Sequence, residues 1–375
     1  MNKNQGGKIL LIVQLPPPIH GASVMNSHIV NSEKINKRFN IEVINLQFSK
    51  TIGEISIFSI RKVFKAIYFG FKIINQVFIQ KPDLVYFTFS PSGYAFYRDV
   101  IYVVLLKLLR RKIVFHLHGK GIKENKLNIV KKCLYLLVFR NTYVICLSKK
   151  LVNDIETVNR SVPYIIPNGI QLQSEIGERK HKKSGSVTQI LFLSNYVESK
   201  GILILIDALK RLKNQGYNFK AKLVGAPSDL TMEFLNNLIS DQDLSGCIQI
   251  TGPLYGDAKK SEFQSADIFV FPTYYRNEAF PLVILEAMQY GLPIISTSEG
   301  AIPELVEDAI NGFIIPQKDP VLLAERIKHL IDNPDLRIEM GERGYGKFIN
   351  NYTLDHFENN MIKTFQDILS LNKSR

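Results

Sequence analysis

Short apolar runs alternate with amphipathic stretches along almost all of this 375-residue chain, and that rhythm leaves few folds open. The first series is KILLIVQ (8–14), IEVINL (41–46), DLVYFTF (83–89), KIVFHLH (112–118), TYVICL (142–147) and PYIIP (163–167). Helical periodicity lies between them, near 22–37, 58–80, 94–110, 125–140 and 149–159. The polar segment QSEIGERKHKKSGSVT (173–188) interrupts the pattern and reads as a linker. A second series follows: QILFLS (189–194), FKAKLVG (219–225), CIQITG (247–252), DIFVFP (267–272), PIIST (293–297) and GFIIP (312–316). Its helices are expected near 200–214, 229–242, 257–265, 280–290, 302–307 and 320–333, and the tail 335–371 reads as helical with a break near Asn350–Thr353. Strand, helix, strand in repetition calls for a parallel sheet with helices on both faces. The expectation is therefore α/β: two doubly wound, Rossmann-like domains, 1–172 and 189–350, with a terminal helix at 351–375 free to pack back on the first. Open sheets of this kind bind ligands at the carboxyl ends of their strands, which places a cleft between the domains.

Composition excludes several other classes. At 46% hydrophobic and 22% charged residues the chain is globular rather than disordered or fibrous. Cys133, Cys146 and Cys247 stand too far apart for a disulfide scaffold or a zinc ribbon, which suits a reducing cytoplasm. No stretch reaches the ~18 uninterrupted apolar residues of a membrane span, and the N-terminal run is too short for a signal peptide. Charge is strongly asymmetric. Residues 1–183 carry 29 Lys and Arg against 10 Asp and Glu, whereas residues 184–375 carry 18 against 24. Two surfaces with different partners follow from such a split, the basic one suited to nucleic acid, anionic lipid or phosphorylated substrates. In the segment 58–80 Arg61, Lys62, Lys65 and Lys72 are interleaved with Phe64, Ile67, Phe71, Ile74 and Phe78, and 97–112 is similarly apolar with Arg110, Arg111 and Lys112. These are patterns of helices that lie on an anionic membrane surface, although part of each apolar face is needed to cover the sheet.

The window richest in chemistry is YYRNEAFPLVILEAMQYGLPIISTSEGAIP (274–303). Pro281 is placed to open a helix, so the amides near Ala279 and Phe280 form a helix N-terminus able to hold a phosphate or diphosphate. Glu278 precedes that helix and Glu286 lies eight positions on, about 12 Å along a helix rising ~1.5 Å per residue. That separation suits two ends of one extended ligand and not the carboxyl pair of a retaining glycosidase, ~5–5.5 Å apart.

Residues 278–286 are similar to the E-x(7)-E signature of family 4 retaining glycosyltransferases of the GT-B fold, and GLPIIST, EGAIPELVED and NGFIIP continue the likeness at matching spacing. The resemblance is strong over 186–320 and weak over 8–170. It implies that Glu286 grips the ribose of a nucleotide-sugar, that Glu278 touches the transferred sugar, and that the Ala279 and Phe280 amides bind the diphosphate. FLSNYVESKGILILIDAL (192–209) resembles the family's phosphate-binding strand, loop and helix, with Lys200 as its lysine. Asn195 stands where many members carry an arginine, leaving one cationic contact fewer, with Arg276 or Lys259 as substitutes. Pro253 and Leu254, after Gly252, fall where the family holds its base. Gly21 in PPPIHGAS (16–23) matches a glycine-bearing loop, and His118 in HLHGKG (116–121) the family's histidine near the sugar. Strand alternation puts His116 on the same face, so either imidazole is able to reach the cleft, with His20 a weaker candidate. Asn168–Gly169 reads as a structural turn.

The implied reaction is retaining transfer from a nucleotide-diphosphate-sugar, a uridine donor being favoured, in which the leaving phosphate takes the acceptor's proton. No cofactor and no metal are expected, in keeping with the metal-independent members of this fold that the chain resembles. The expected acceptor is a lipid-linked saccharide of a cell-surface polysaccharide, met by a cytoplasmic enzyme peripheral at the inner face of an anionic membrane. A nucleotide-sugar epimerase or a phosphorylase of the same double-sheet architecture, and a basic nucleic-acid-binding protein, are the competing classes. The last lacks a recognised module, so no nucleic-acid partner is expected. A Rossmann dehydrogenase is disfavoured because no G-x-G-x-x-G follows the first strand.

Overall fold

The computed structural model describes residues 6–49, 59–173 and 187–371. The chain divides into two compact units, residues 1–169 with 354–375, and residues 170–353. Most of the expected linker 173–188 lies outside the described residues.

The first unit runs β1 (Gly6–Val13), α1 (Gly21–Asn31), α2 (Glu33–Arg38), β2 (Phe39–Asn45), α3 (Ile60–Gln80), β3 (Leu84–Thr88), α4 (Gly93–Leu108), β4 (Ile113–Leu117), α5 (Ile122–Asn125), α6 (Ile129–Phe139), β5 (Tyr143–Cys146), α7 (Val152–Ile155) and β6 (Tyr164–Ile165). Its six strands are all parallel, in the order β2-β1-β3-β4-β5-β6. Ile9 to Val13 are buried without interruption, as they must be in a strand covered on both faces. Phe87, Phe89, Phe115 and Phe139 form a connected aromatic core, with Phe89 and Phe115 at 5.1 Å between centroids. Local capping divides the helices more finely than apolar periodicity suggests. The segment 22–37 breaks at Ser32, whose Oγ accepts from the amide of Ile35 at 3.2 Å and caps α2. The segment 125–140 breaks at Asn128, which caps α6 by accepting from Lys131 at 3.1 Å. In 149–159 only one turn is helical, and its Asp154 accepts from the amides of Gly121, Ile122 and Lys123 at 2.9–3.1 Å, fastening α5.

The second unit runs β7 (Thr188–Leu193), a 3-10 turn (Glu198–Lys200), α8 (Ile202–Asn214), β8 (Phe219–Val224), α9 (Met232–Asp241), β9 (Ile248–Thr251), α10 (Gly256–Ser265), β10 (Ile268–Phe271), α11 (Leu282–Gln289), β11 (Ile294–Thr297), α12 (Ile302–Leu305), β12 (Gly312–Ile315), α13 (Pro320–Asp332) and α14 (Pro334–Asn351). Its parallel sheet is ordered β12-β11-β10-β7-β8-β9. All twelve expected strands are present, and the chain is built from two six-stranded parallel sheets flanked by helices. The helical tail breaks between Asn351 and Leu354, and the last helix, α15 (Leu354–Ser370), belongs to the first unit. There Phe365 stands edge-on to Phe39 and Tyr86, and Phe357 stacks on His116. Among the described residues no helix is long and apolar enough to cross a membrane.

Candidate active site at the carboxyl ends of the second sheet

In the second sheet the winding reverses between β7 and β10, the point at which doubly wound sheets open a crevice. Both loops that leave these strands carry expected site residues. After β7 the chain makes the 3-10 turn that ends on Lys200 and enters α8 through Gly201. Gly201 has φ +89, and a Cβ there would lie 2.2 Å from the carbonyl oxygen of Pro272, so only glycine lets this turn lie against the end of β10. Tyr274 donates its amide to Ser199 O at 2.8 Å and Thr273 its hydroxyl to the same atom at 3.3 Å, strapping the two loops together. Lys200 is thereby held with Nζ 2.6 Å from Glu278 Oε2 and 4.5 Å from the Tyr275 ring centroid.

Glu278 is 8% exposed. Gly300, at φ +51, lies under it: a Cβ would stand 2.3 Å from Glu278 O, and Ala301 donates to Ala279 O at 2.7 Å. The helix that follows begins one residue later than expected, with Pro281 as its N-cap and Leu282 its first residue. Pro281 lacks an N–H and its ring fixes φ, so it serves the entry of the helix from just outside. Ala279 and Phe280 are buried, and their amides have no protein acceptor among the described residues. Glu286 lies in the second turn, its Oε1 2.5 Å from Lys259 Nζ of α10 and its Oε2 buried without a hydrogen-bond partner. Burial pushes the Glu286 carboxyl up, and the Lys259 ammonium opposes that rise. Each carboxylate thus has its own lysine, and the two pairs are linked through the short segment that enters α11.

Asn195 is half-buried in the loop after β7 and contributes no charge. Arg276 is exposed on a turn, whereas Lys259 is engaged with Glu286. Pro253 is exposed and Leu254 half-buried in the segment between β9 and α10, the helix that carries Lys259. A cavity of about 660 Å³ opens at the opposite, amino end of this sheet, lined by Gln189, Lys222 and Cys247 among others, and holds none of these residues.

The first unit gathers the histidines. His116 is fully buried and its Nδ1 lies 2.6 Å from the Tyr86 hydroxyl, so it is an interior residue. His118 follows at the end of β4, 4.0 Å from it between ring centroids. Both ring nitrogens of His118, and Nε2 of His116, are buried without partners. Burial, with His20 nearby, pushes His118 down to about 3, and burial likewise depresses His116 and His20. These imidazoles are neutral at physiological pH. His20 caps α1, its Nδ1 accepting from Ser23 N at 3.3 Å. Gly21 is exposed at the start of that helix with no atom within 4 Å of where a Cβ would stand, so no packing within its unit requires a glycine there. Among the described residues no group of three or more His, Cys, Asp or Glu is arranged to hold a metal.

The two wound sheets have the fold of the GT-B glycosyltransferases. Residues 173–347 match the model of the family described as Glycosyl transferases group 1. The chain is 29% identical over 254 residues to the uncharacterized glycosyltransferase MJ1178 of Methanocaldococcus jannaschii, covering 68% of each. It is 32% identical over 158 residues to the amylovoran biosynthesis glycosyltransferase AmsK of Erwinia amylovora, 41% of this chain and 36% of the relative. In fold it is similar to Anabaena Alr3699/HepE, crystallised with UDP, at a TM-score of 0.74 and 19% identity, over 96% of this chain and 100% of that one.

Proposed function

We propose that the protein is a retaining glycosyltransferase that moves a sugar from a nucleotide-diphosphate-sugar, favourably a UDP-sugar, to a hydroxyl of a lipid-linked saccharide in cell-surface polysaccharide assembly. The observation that carries this reading is the double Lys–Glu arrangement around the entry of α11, Lys200 with Glu278 and Lys259 with Glu286. In this reading Glu286 accepts from the ribose hydroxyls and Glu278 from the transferred sugar. The diphosphate lies on the Ala279 and Phe280 amides, and Lys200 turns from Glu278 to the departing phosphate, where charge develops. Pro253 and Leu254 border the base, and Asn195 lines the phosphate loop as a neutral residue. His118 and Gly21 are the first unit's own candidates for sugar and donor contacts by the family resemblance; a neutral imidazole suits a hydroxyl it accepts from or donates to. The C1–O bond to the phosphate breaks, the acceptor oxygen bonds to C1 on the same face, and its proton passes to the phosphate. No cofactor or metal takes part.

Two further observations support the acceptor and the location. AmsK is described as an enzyme of amylovoran biosynthesis. On α3, Phe64, Tyr68, Phe71, Phe78 and Ile79 are 60–70% exposed beside Arg61, Lys62, Lys65 and Lys72, a composition suited to an anionic bilayer and to a cytoplasmic enzyme peripheral on it. The test is thermal stabilisation by UDP-, GDP- and ADP-sugars, followed by nucleotide release with and without a polyprenyl-linked saccharide. Release that requires the acceptor supports transfer. Conversion of the donor sugar without nucleotide release would identify an epimerase, and no binding of any nucleotide-sugar would end the reading.

A further inference from the structure

Glu286 presents an unusual pair of oxygens. Oε1 is taken by Lys259 at 2.5 Å, and Oε2, itself buried, has no partner. A buried acceptor left empty is costly unless something outside the protein fills it. Lys259 reaches the carboxylate from α10, just past the segment that bears Pro253 and Leu254. Among the described residues Lys259 is the cation paired with Glu286. Tyr290 lies a turn further along α11 and stacks on Phe263, and Lys260 is paired with Asp257 at the start of α10. From α14, packed on the same helix, Arg337 donates to Leu330 O, Arg343 to Glu339 and Lys347 to Glu307. β11 contributes the hydroxyls of Ser296 and Thr297, which donate to Phe271 O and Thr273 O.

We propose that Lys259 is a positioning residue for donor binding: it holds Glu286 by one oxygen, keeps it ionised, and leaves Oε2 as the acceptor offered to the donor's vicinal hydroxyls. This rests on the glycosyltransferase reading. Without the ammonium, burial alone acts on Glu286, and the carboxyl takes up a proton at higher pH. A protonated carboxyl no longer accepts two hydroxyl hydrogens at once, so donor affinity acquires an acid limb that Lys259 normally holds at low pH.

The experiment measures the dissociation constant of UDP-glucose for the full chain between about pH 5 and 8, in the wild type, Lys259→Met and Lys259→Arg; removing an opposite charge within ~4–6 Å moves a carboxyl by about one unit or more. In Lys259→Met the acid limb is expected to rise by at least about one pH unit, with affinity lost at least about tenfold on the acid side, and Lys259→Arg restores the wild-type profile. A uniform loss at every pH, with the limb unmoved, would overturn the proposal in favour of a merely structural lysine. Should Lys259→Met fold poorly, Lys259→Gln read against Lys259→Arg makes the same comparison. If the wild type binds no UDP-glucose or other nucleotide-sugar, the underlying reading fails and not the role of the lysine.

Discussion

The two units share an architecture and divide its chemistry. Both are six-stranded parallel sheets, yet the second concentrates compensated charge at its switch point while the first gathers neutral imidazoles and exposed apolar helix. In the second unit Lys200, Glu278, Lys259 and Glu286 are each held by an opposite charge, whereas Asn195 is neutral. In the first, the imidazole nitrogens of His118 are shielded from water and unbonded. The contrast shows that one sheet geometry carries two different surfaces, compensated charge in the second unit and neutral imidazoles beside exposed apolar helix in the first.

The largest effect is expected where compensation is removed. Lys200→Met leaves Glu278 enclosed without its cation, which should destabilise the second unit by about 3–5 kcal/mol and lower transfer about 100- to 1,000-fold. The double variant Lys200→Met/Glu278→Gln should recover the stability in calorimetry and none of the activity, whereas additive losses would break the account of the pair. Next is Gly300→Ala, where the side chain meets Glu278 O; about 2–4 kcal/mol of lost stability is expected in thermal unfolding, with weakened donor binding.

Acid sharpens the contrast from the other side. His116 and His118 are held below the ordinary imidazole value in the folded state, so the unfolded chain binds protons first as pH falls. The stabilisation that His118 lends the first unit is present above about pH 6.5 and is lost as pH drops toward about 3, at a slope near 1.4 kcal/mol per pH unit, and His116 acts in the same direction. His118→Asn should flatten that slope in a pH series of unfolding, and an unchanged slope would show that His118 does not titrate there. The smallest effect on stability, within about 0.5 kcal/mol, belongs to Phe71→Ser with Lys72→Ser on the exposed face of α3. The same change should abolish binding to anionic vesicles at low salt while leaving soluble-donor binding intact, and unchanged vesicle binding would remove α3 from the lipid surface.

Much of this was readable in the sequence, for physical reasons that differ along the chain. All twelve strands were legible, inner ones such as β1 and β10 because a parallel strand buried on both faces writes itself as an unbroken apolar run. The breaks at Ser32 and Asn128 were not, since a cap is one hydrogen bond inside a stretch whose apolar period continues across it. Glu278 and Glu286 stood out through their spacing around a proline. Their pairing with Lys200 and Lys259 did not, because it joins side chains 78 and 27 positions apart that only the folded sheet brings together. His116 was placed on the correct strand face, but its capture by Tyr86 from the neighbouring strand depends on sheet order, which no single strand records.

The Lys–Glu pairs have a consequence for selectivity. A pocket that already satisfies its own charges has little to gain from a stray phosphate or a free sugar, since either would have to prise apart an ion pair while compensating only half of it. A visitor bearing hydroxyls for the acids and a diphosphate for the ammonium can swap both partners at once. On the proposed function, the resting state is a lock with two wards, turned by a molecule that carries both functions on one backbone.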